Sequence, residues 1–135
     1  MDQPQIRKLL AQIFDTLEGD WILVGGALLH AMGLSNRQTL DIDLVPMNIV
    51  TNRDQLKLMD IAIKNGFPPE TINFAAEYFV KKQPRWKKEV ILLKETKRAR
   101  IFRPSRKLFK KLKLARSTEI DLADIAIFEK KVSDP

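Results

Sequence analysis

Two aspartates, Asp41 and Asp43, stand either side of Ile42 in the alternating run LDIDLV, residues 40–45. In a strand, alternate residues share a face. Both carboxylates then point one way, roughly 7 Å apart along the chain, while Leu40, Ile42 and Leu44 face the other. Aspartate is disfavoured in strands, and two like charges on one face repel. A cation between them removes the repulsion. Mg²⁺ (or Mn²⁺) suits such a place, because it takes oxygen ligands and keeps positions for water and substrate phosphates. A solvated strand face, as on the edge of a sheet, is the other reading of the same pair.

Upstream, the apolar run Trp21–Val24 ends at Gly25-Gly26. Glycines at the end of a buried strand let backbone approach a ligand closely. A helix opening there turns unpaired N–H groups and the positive end of its dipole towards an anion. A tight turn with no ligand has the same spelling. Between the two features lies a polar loop, Ser35–Thr39, in which Ser35 and Arg37 could contact a phosphate, or Arg37 could pair with Asp41. His30 reads as an ordinary, partly buried histidine.

Val24-Gly25-Gly26, followed after fourteen residues by Asp41-Ile42-Asp43-Leu44, resembles the motif of the nucleotidyltransferase superfamily with the DNA polymerase β-type fold. The stretch is similar to small bacterial proteins related to the AbiEii-type toxins and the minimal nucleotidyltransferase antitoxins. The fourteen-residue spacer is long for that family. Residues 105–128, SRKLFKKLKLARSTEIDLADIAIF, are similar to the C-terminal pattern of the AbiEii-like group, a helix bearing Lys then Arg and a helix bearing Asp-x-x-Asp. Lys113, Arg116, Asp121 and Asp124 occupy those positions, and residues 46–98 match poorly.

The resemblance implies Mg²⁺-dependent transfer of a nucleoside monophosphate from an NTP to a hydroxyl of RNA (a tRNA end) or protein, in a toxin–antitoxin setting that supplies a partner protein. It implies that Asp41 and Asp43 hold the metal, that Gly25 and Gly26 admit the triphosphate and that Lys113 meets phosphates. A third carboxylate on a later strand then positions or deprotonates the attacking hydroxyl. Glu89, heading EVILL, is the candidate, and Glu95 the second. The competing expectation is a degenerate member that holds nucleotide, RNA or a partner protein without turnover. Asp121 also reads as a helix cap partnered by Thr118, and Lys113 as one more solvated lysine.

Net charge is +7, and it is concentrated. Residues 80–116 hold 16 Lys/Arg against 2 Asp/Glu, whereas residues 1–79 hold 6 against 10. Polyanions are the natural partners of such a segment, and a lysine-rich solvated face is the bland alternative. Arg85, Trp86, Lys87, Lys88, Arg100 and Arg103 are the nucleic-acid-binding candidates, with Trp86 the aromatic best placed to stack. Phe102 and Phe109 read as core. The chain has no cysteine and one histidine, which excludes disulfides and thiolate metal sites. No apolar run is long enough for a membrane span and no signal peptide is apparent, so the expected compartment is the cytoplasm.

One α/β (α+β) domain over 1–135 must position these residues: a small mixed sheet with helices mainly on one face. Helical periodicity predicts a helix over 5–18, with Ile6, Leu9, Leu10, Ile13, Phe14 and Leu17 inward. A short helix follows over 27–32, a strand over 40–45 and a Thr51-capped helix over 52–65 with Leu56, Met59 and Ile63 buried. Residues 71–78 read as a short helix, 86–94 and 99–103 as strands, and 105–115 as a helix with Leu108, Leu112 and Ala115 inward. The last helix, capped by Thr118, turns Leu122, Ile125 and Phe128 inward.

Overall fold

The computed structural model describes residues 1–35 and 37–135; Asn36, in the polar loop, lies outside them. Helix α1 (Gln3–Thr16) leads into strand β1 (Gly19–Val24), and α2 (Gly25–Ala31) starts directly at the glycine pair. Strand β2 (Ile42–Pro46) is followed by α3 (Asn52–Lys64), a 3₁₀ turn at Pro69–Thr71 and the two-residue strand β3 (Ile72–Asn73). Then come α4 (Glu77–Lys81), a 3₁₀ turn at Trp86–Lys88, and strands β4 (Val90–Glu95) and β5 (Ala99–Pro104). Helices α5 (Arg106–Leu114) and α6 (Glu119–Lys131) close the chain.

The five strands form one mixed sheet in the order β3-β2-β1-β5-β4. β1 runs antiparallel to β2 and parallel to β5. Its register sets Val24 beside Asp43. Alternation along β1 divides the interior in two. Trp21 and Leu23 join the larger core with residues of α1, α2, α3 and α6, while Ile22 and Val24 face a smaller one with Val80, Trp86 and Leu112. Helices therefore cover chiefly one face. No helix among the described residues is long and apolar enough to cross a membrane.

Three segments depart from their sequence reading. Residues 71–78 form a 3₁₀ turn and a short strand before helix begins at Glu77, because the open side of β2 offers ladder partners that a local helix would forgo. Trp86–Lys88 is a 3₁₀ turn, and strand begins only at Val90. In α3 the buried residues are Leu58 and Ala62, whereas Leu56, Met59 and Ile63 are exposed. The small Ala62 lets α3 lie close, and α3 packs chiefly against α1, the 3₁₀ turn at Pro69–Thr71 and β3. Half of this helix thus faces water whichever apolar stripe is turned in.

The C-terminal helices depart in one shared way. Their buried stripes include charge: Lys113 beside Leu108 and Phe109 in α5, and Asp121 and Asp124 beside Ile125 and Phe128 in α6. Ala115 and Leu122, expected inward, are exposed. Phe109 and Phe128 stack with centroids 4.1 Å apart, which brings the two helices together beside the end of β1.

Candidate functional site

β2 and the β1–α2 junction bring Asp43 and Gly25 together. Gly25 has φ +74°, a conformation that disfavours any residue with a Cβ, and a Cβ there would collide with Asp43 Oδ2. Glycine is required here by geometry before any ligand is considered. A Cβ on Gly26 would come within 2.9 Å of Arg37 Nη2 and 3.1 Å of Thr39 Oγ1. The pair therefore lets a carboxylate and a guanidinium close in on the start of α2.

Asp43 and Gly25 line a cleft of about 350 Å³ with Ala76, Phe79, Lys113 and Arg116. Burial raises the Asp43 pKa from the ordinary 3.8 to about 6; Asp41 adds to the rise, while Lys113 and Arg116 oppose it. Among the described residues, neither aspartate side chain takes part in a hydrogen bond or ion pair. Asp41 lies just ahead of the β2 ladder and is exposed.

Lys113 is held differently from the solvated lysine that its surroundings in the sequence suggest. It is buried, and its Nζ donates to Asp124 Oδ2 at 2.9 Å and lies 3.4 Å from Asp121 Oδ1. Arg37 donates to the same Asp124 from Nε at 3.2 Å and Nη2 at 2.6 Å. Arg37 thus pairs with Asp124, 87 residues away, and not with Asp41. Arg116 Nε stands 3.6 Å from Asp121 Oδ2. Thr118 caps α6: its Oγ1 donates to Asp121 Oδ2 at 2.6 Å and accepts from the Asp121 amide at 3.1 Å. Burial acts to raise the Asp121 pKa, but the Thr118 hydrogen bonds, with Lys113 and Arg116, outweigh it and hold it below the ordinary value.

The loop carrying Arg37 is fixed from behind. Ser35 Oγ accepts from the Arg37 amide at 3.2 Å, so Ser35 shapes the turn. His30 is buried and its Nε2 hydrogen-bonds to the Arg37 carbonyl. A carbonyl only accepts, so Nε2 carries the proton, and Nδ1 is left buried without a partner among the described residues. This histidine orients the Arg37 loop.

Glu89 is not brought to the aspartates. It ends the 3₁₀ turn just ahead of β4, and β4 lies beyond β1 and β5 from β2, three interstrand spacings or roughly 14 Å away. The Glu89 carboxylate accepts from Ser105 Oγ at 2.7 Å. Glu95, on β4, pairs in register with Arg100. The neighbour of Asp43 on its open side is Asn73 of β3, an amide whose Oδ1 accepts from the Ala75 amide at 3.0 Å. Among the described residues, no three His, Cys, Asp or Glu side chains converge.

The basic candidates also separate. Arg85, Lys87 and Lys88 are exposed. Trp86 is partly buried against the smaller core. Arg100 is exposed but gripped by Asp20 through two hydrogen bonds of 2.8 Å. Arg103 does not belong to that surface: it is buried, donates to the Pro104 carbonyl and Asp134, and lies over the Phe128 ring. On β5 it shares the large-core face with Ile101, which is why alternation carries it inward.

Sequence reasoning missed the burial of Asp121 and Asp124. The signal was present, since residues 121, 124, 125 and 128 form one helical stripe. Compared with known protein families, curated proteins and solved structures, the chain matches none.

Proposed function

We propose that the cleft binds a nucleoside triphosphate through Mg²⁺ on Asp41 and Asp43 and supports nucleotidyl transfer to a hydroxyl of RNA or protein. The observation that carries this is that Gly25, Asp43, Lys113 and Arg116, taken from both halves of the chain, line one cleft. The aspartates fit a divalent cation on their own chemistry: a half-buried carboxylate with a raised pKa, a second carboxylate beside it, and, among the described residues, no cation in contact with either. Two carboxylates also suffice for Mg²⁺, which completes its shell with water and phosphate. When bound, the ion would neutralise triphosphate charge and stabilise charge developing at the transferred phosphorus.

The chain's own groups have separate tasks. Lys113 has three N–H donors and gives one to Asp124 while standing 3.4 Å from Asp121, which leaves a donor for a phosphate oxygen. Arg116 is 70% exposed at its side chain and faces Asp121 through Nε, which leaves its terminal nitrogens available. Ala75, Ala76, Phe79 and Leu112 offer an apolar wall for the base. Thr118, Asp121 and Asp124 hold the two cations in position.

A second reading, nucleotide binding without turnover, is favoured by Asn73. It is an amide in register beside Asp43, whose neighbour on the other side is Val24, so neither flanking strand adds a carboxylate there, and Glu89 is too distant to substitute. Titration with a fluorescent NTP, with and without Mg²⁺, tests the common part. Asp41→Asn and Asp43→Asn are each expected to remove the metal-dependent component, and unchanged affinity in both overturns the assignment. Incubation with α-labelled NTPs and total RNA then separates the readings. Label transfer that is lost in Asp43→Asn supports the enzyme, and binding without transfer supports the module.

A further inference from the structure

At the mouth of the cleft, α4 carries two aromatic side chains that the fold leaves in the open. Tyr78 is 70% exposed and Phe79 is 50% exposed, and their rings meet edge to face with centroids 5.5 Å apart. Lys82 Nζ stands 5.5 Å from one centroid and 5.3 Å from the other. One turn on, Lys81 and Lys87 approach the Trp86 ring at 6.0 and 5.6 Å. Phe79 also lines the cleft with Asp43 and Lys113, so patch and cleft are continuous.

Exposed aromatic faces by themselves suit several partners, and the charge narrows the choice. The patch straddles the start of the 80–116 segment, with its 16 basic and 2 acidic residues, and the neighbouring Glu77 is taken up by Lys81 at 2.7 Å. A matching partner presents flat apolar faces and repeated negative charge together. Unpaired nucleic acid does so: bases stack on aromatic rings while phosphates meet the ammonium groups. A duplex keeps its base faces stacked inside and matches only the charge.

We infer that Tyr78, Phe79, Lys82, Trp86 and Lys87 form a platform for single-stranded nucleic acid, with its end led towards the cleft. The last step rests on the nucleotide reading of the cleft and names its acceptor class; strand binding itself needs neither NTP nor metal.

Fluorescence anisotropy with labelled RNA and DNA single strands of about twelve nucleotides, and with the corresponding duplex, tests this without Mg²⁺ or NTP. Single strands are expected to bind roughly tenfold more tightly than duplex. Tyr78→Ala is expected to weaken single-strand binding about tenfold. Lys82→Gln is expected to flatten the salt dependence by about 0.7 of a logarithmic slope unit. Both residues are exposed and neither lines the cleft, so folding and Mg²⁺-dependent NTP binding stay at the wild-type level. Wild-type strand binding in both variants overturns the platform, as does a duplex that binds as tightly as single strands. Self-association lost in Tyr78→Ala, with no strand binding in the wild type, also overturns it and assigns the aromatics to a protein contact. Strand binding that persists while NTP binding fails sinks the nucleotide reading alone; the reverse result sinks the platform alone.

Discussion

The chain contains two closely spaced pairs of aspartates, Asp41/Asp43 and Asp121/Asp124, and the fold treats them in opposite ways. The second pair is almost completely buried, yet each of its members is met by protein cations: Asp124 by Arg37 and Lys113, Asp121 by Lys113 and Arg116. The first pair is more accessible and, among the described residues, has no cation in contact. Burial, with Asp41 adding to it, pushes Asp43 up to about 6, while at Asp121 the Thr118 hydrogen bonds and the two cations outweigh burial and hold the carboxyl below its ordinary value. Carboxylates that are satisfied from within hold helices together. Carboxylates left unsatisfied beside a cleft are the ones that can take a ligand.

The largest effect expected from this comparison is at Asp124. Asp124→Asn removes the charge shared by Arg37 and Lys113, and leaves Lys113 buried with only its longer contact. Breaking a buried pair from one side costs about 3–5 kcal/mol, to be read as a lower urea midpoint with an unchanged denaturant slope. A loss below about 1 kcal/mol would put this network on a level with surface ion pairs and dissolve the contrast.

Next comes Asp43→Asn, with the opposite sign. The folded protein binds a proton at Asp43 more tightly than the unfolded chain does, so stability falls as pH rises from about 4 to about 6. The substitution removes an ionised, half-buried carboxylate and is expected to stabilise the fold at neutral pH by on the order of 1–2 kcal/mol, while abolishing metal-dependent NTP binding. The check is urea unfolding of both proteins across that pH window, where their difference in stability should open as pH rises. A destabilised Asp43→Asn would mean that this carboxylate serves the fold after all. Asp121 carries the contrary signature, with its contribution lost only as pH falls below the ordinary carboxylate range.

The smallest effect is at the cap. Thr118→Ala removes the hydroxyl that bonds Asp121 and is expected to cost about 1 kcal/mol. Because Asp121 then loses the donor that lowers its pKa, acid unfolding should begin at a higher pH than in the wild type. An unmoved acid limb would show that the Thr118 amide, Lys113 and Arg116 suffice to hold the Asp121 carboxyl down.

Much of the scaffold was legible because it follows local rules. The stripe Ile6, Leu9, Leu10, Ile13 and Phe14 is buried as helical spacing requires, Thr51 caps α3 as its residue type predicts, and the Thr118 capping box forms as its spelling predicts. Gly25 does sit against Asp43, while Gly26 sits against Arg37 and Thr39. The apolar stripe of α3 was misread because periodicity identifies stripes without saying which one meets a neighbour. Arg103 was misread because a cationic side chain was counted as surface when strand alternation turned it inward. Asn73, Tyr78 and Phe79 gave no usable signal. Asn73 is set by the β2 edge it joins, and Tyr78 and Phe79 fall on the short helix that follows.

What the sequence determined by itself was the order of elements around residues 21–46, the capping of the C-terminal helices and the concentration of positive charge, because propensity, capping and composition act over a few residues. Which carboxylates are neutralised and which stay open was decided only by tertiary structure. Arg37 and Asp124 are 87 residues apart, and their attraction takes effect only once the stacking of Phe109 on Phe128 and the Gly26 gap have brought the loop and α6 within a few ångströms.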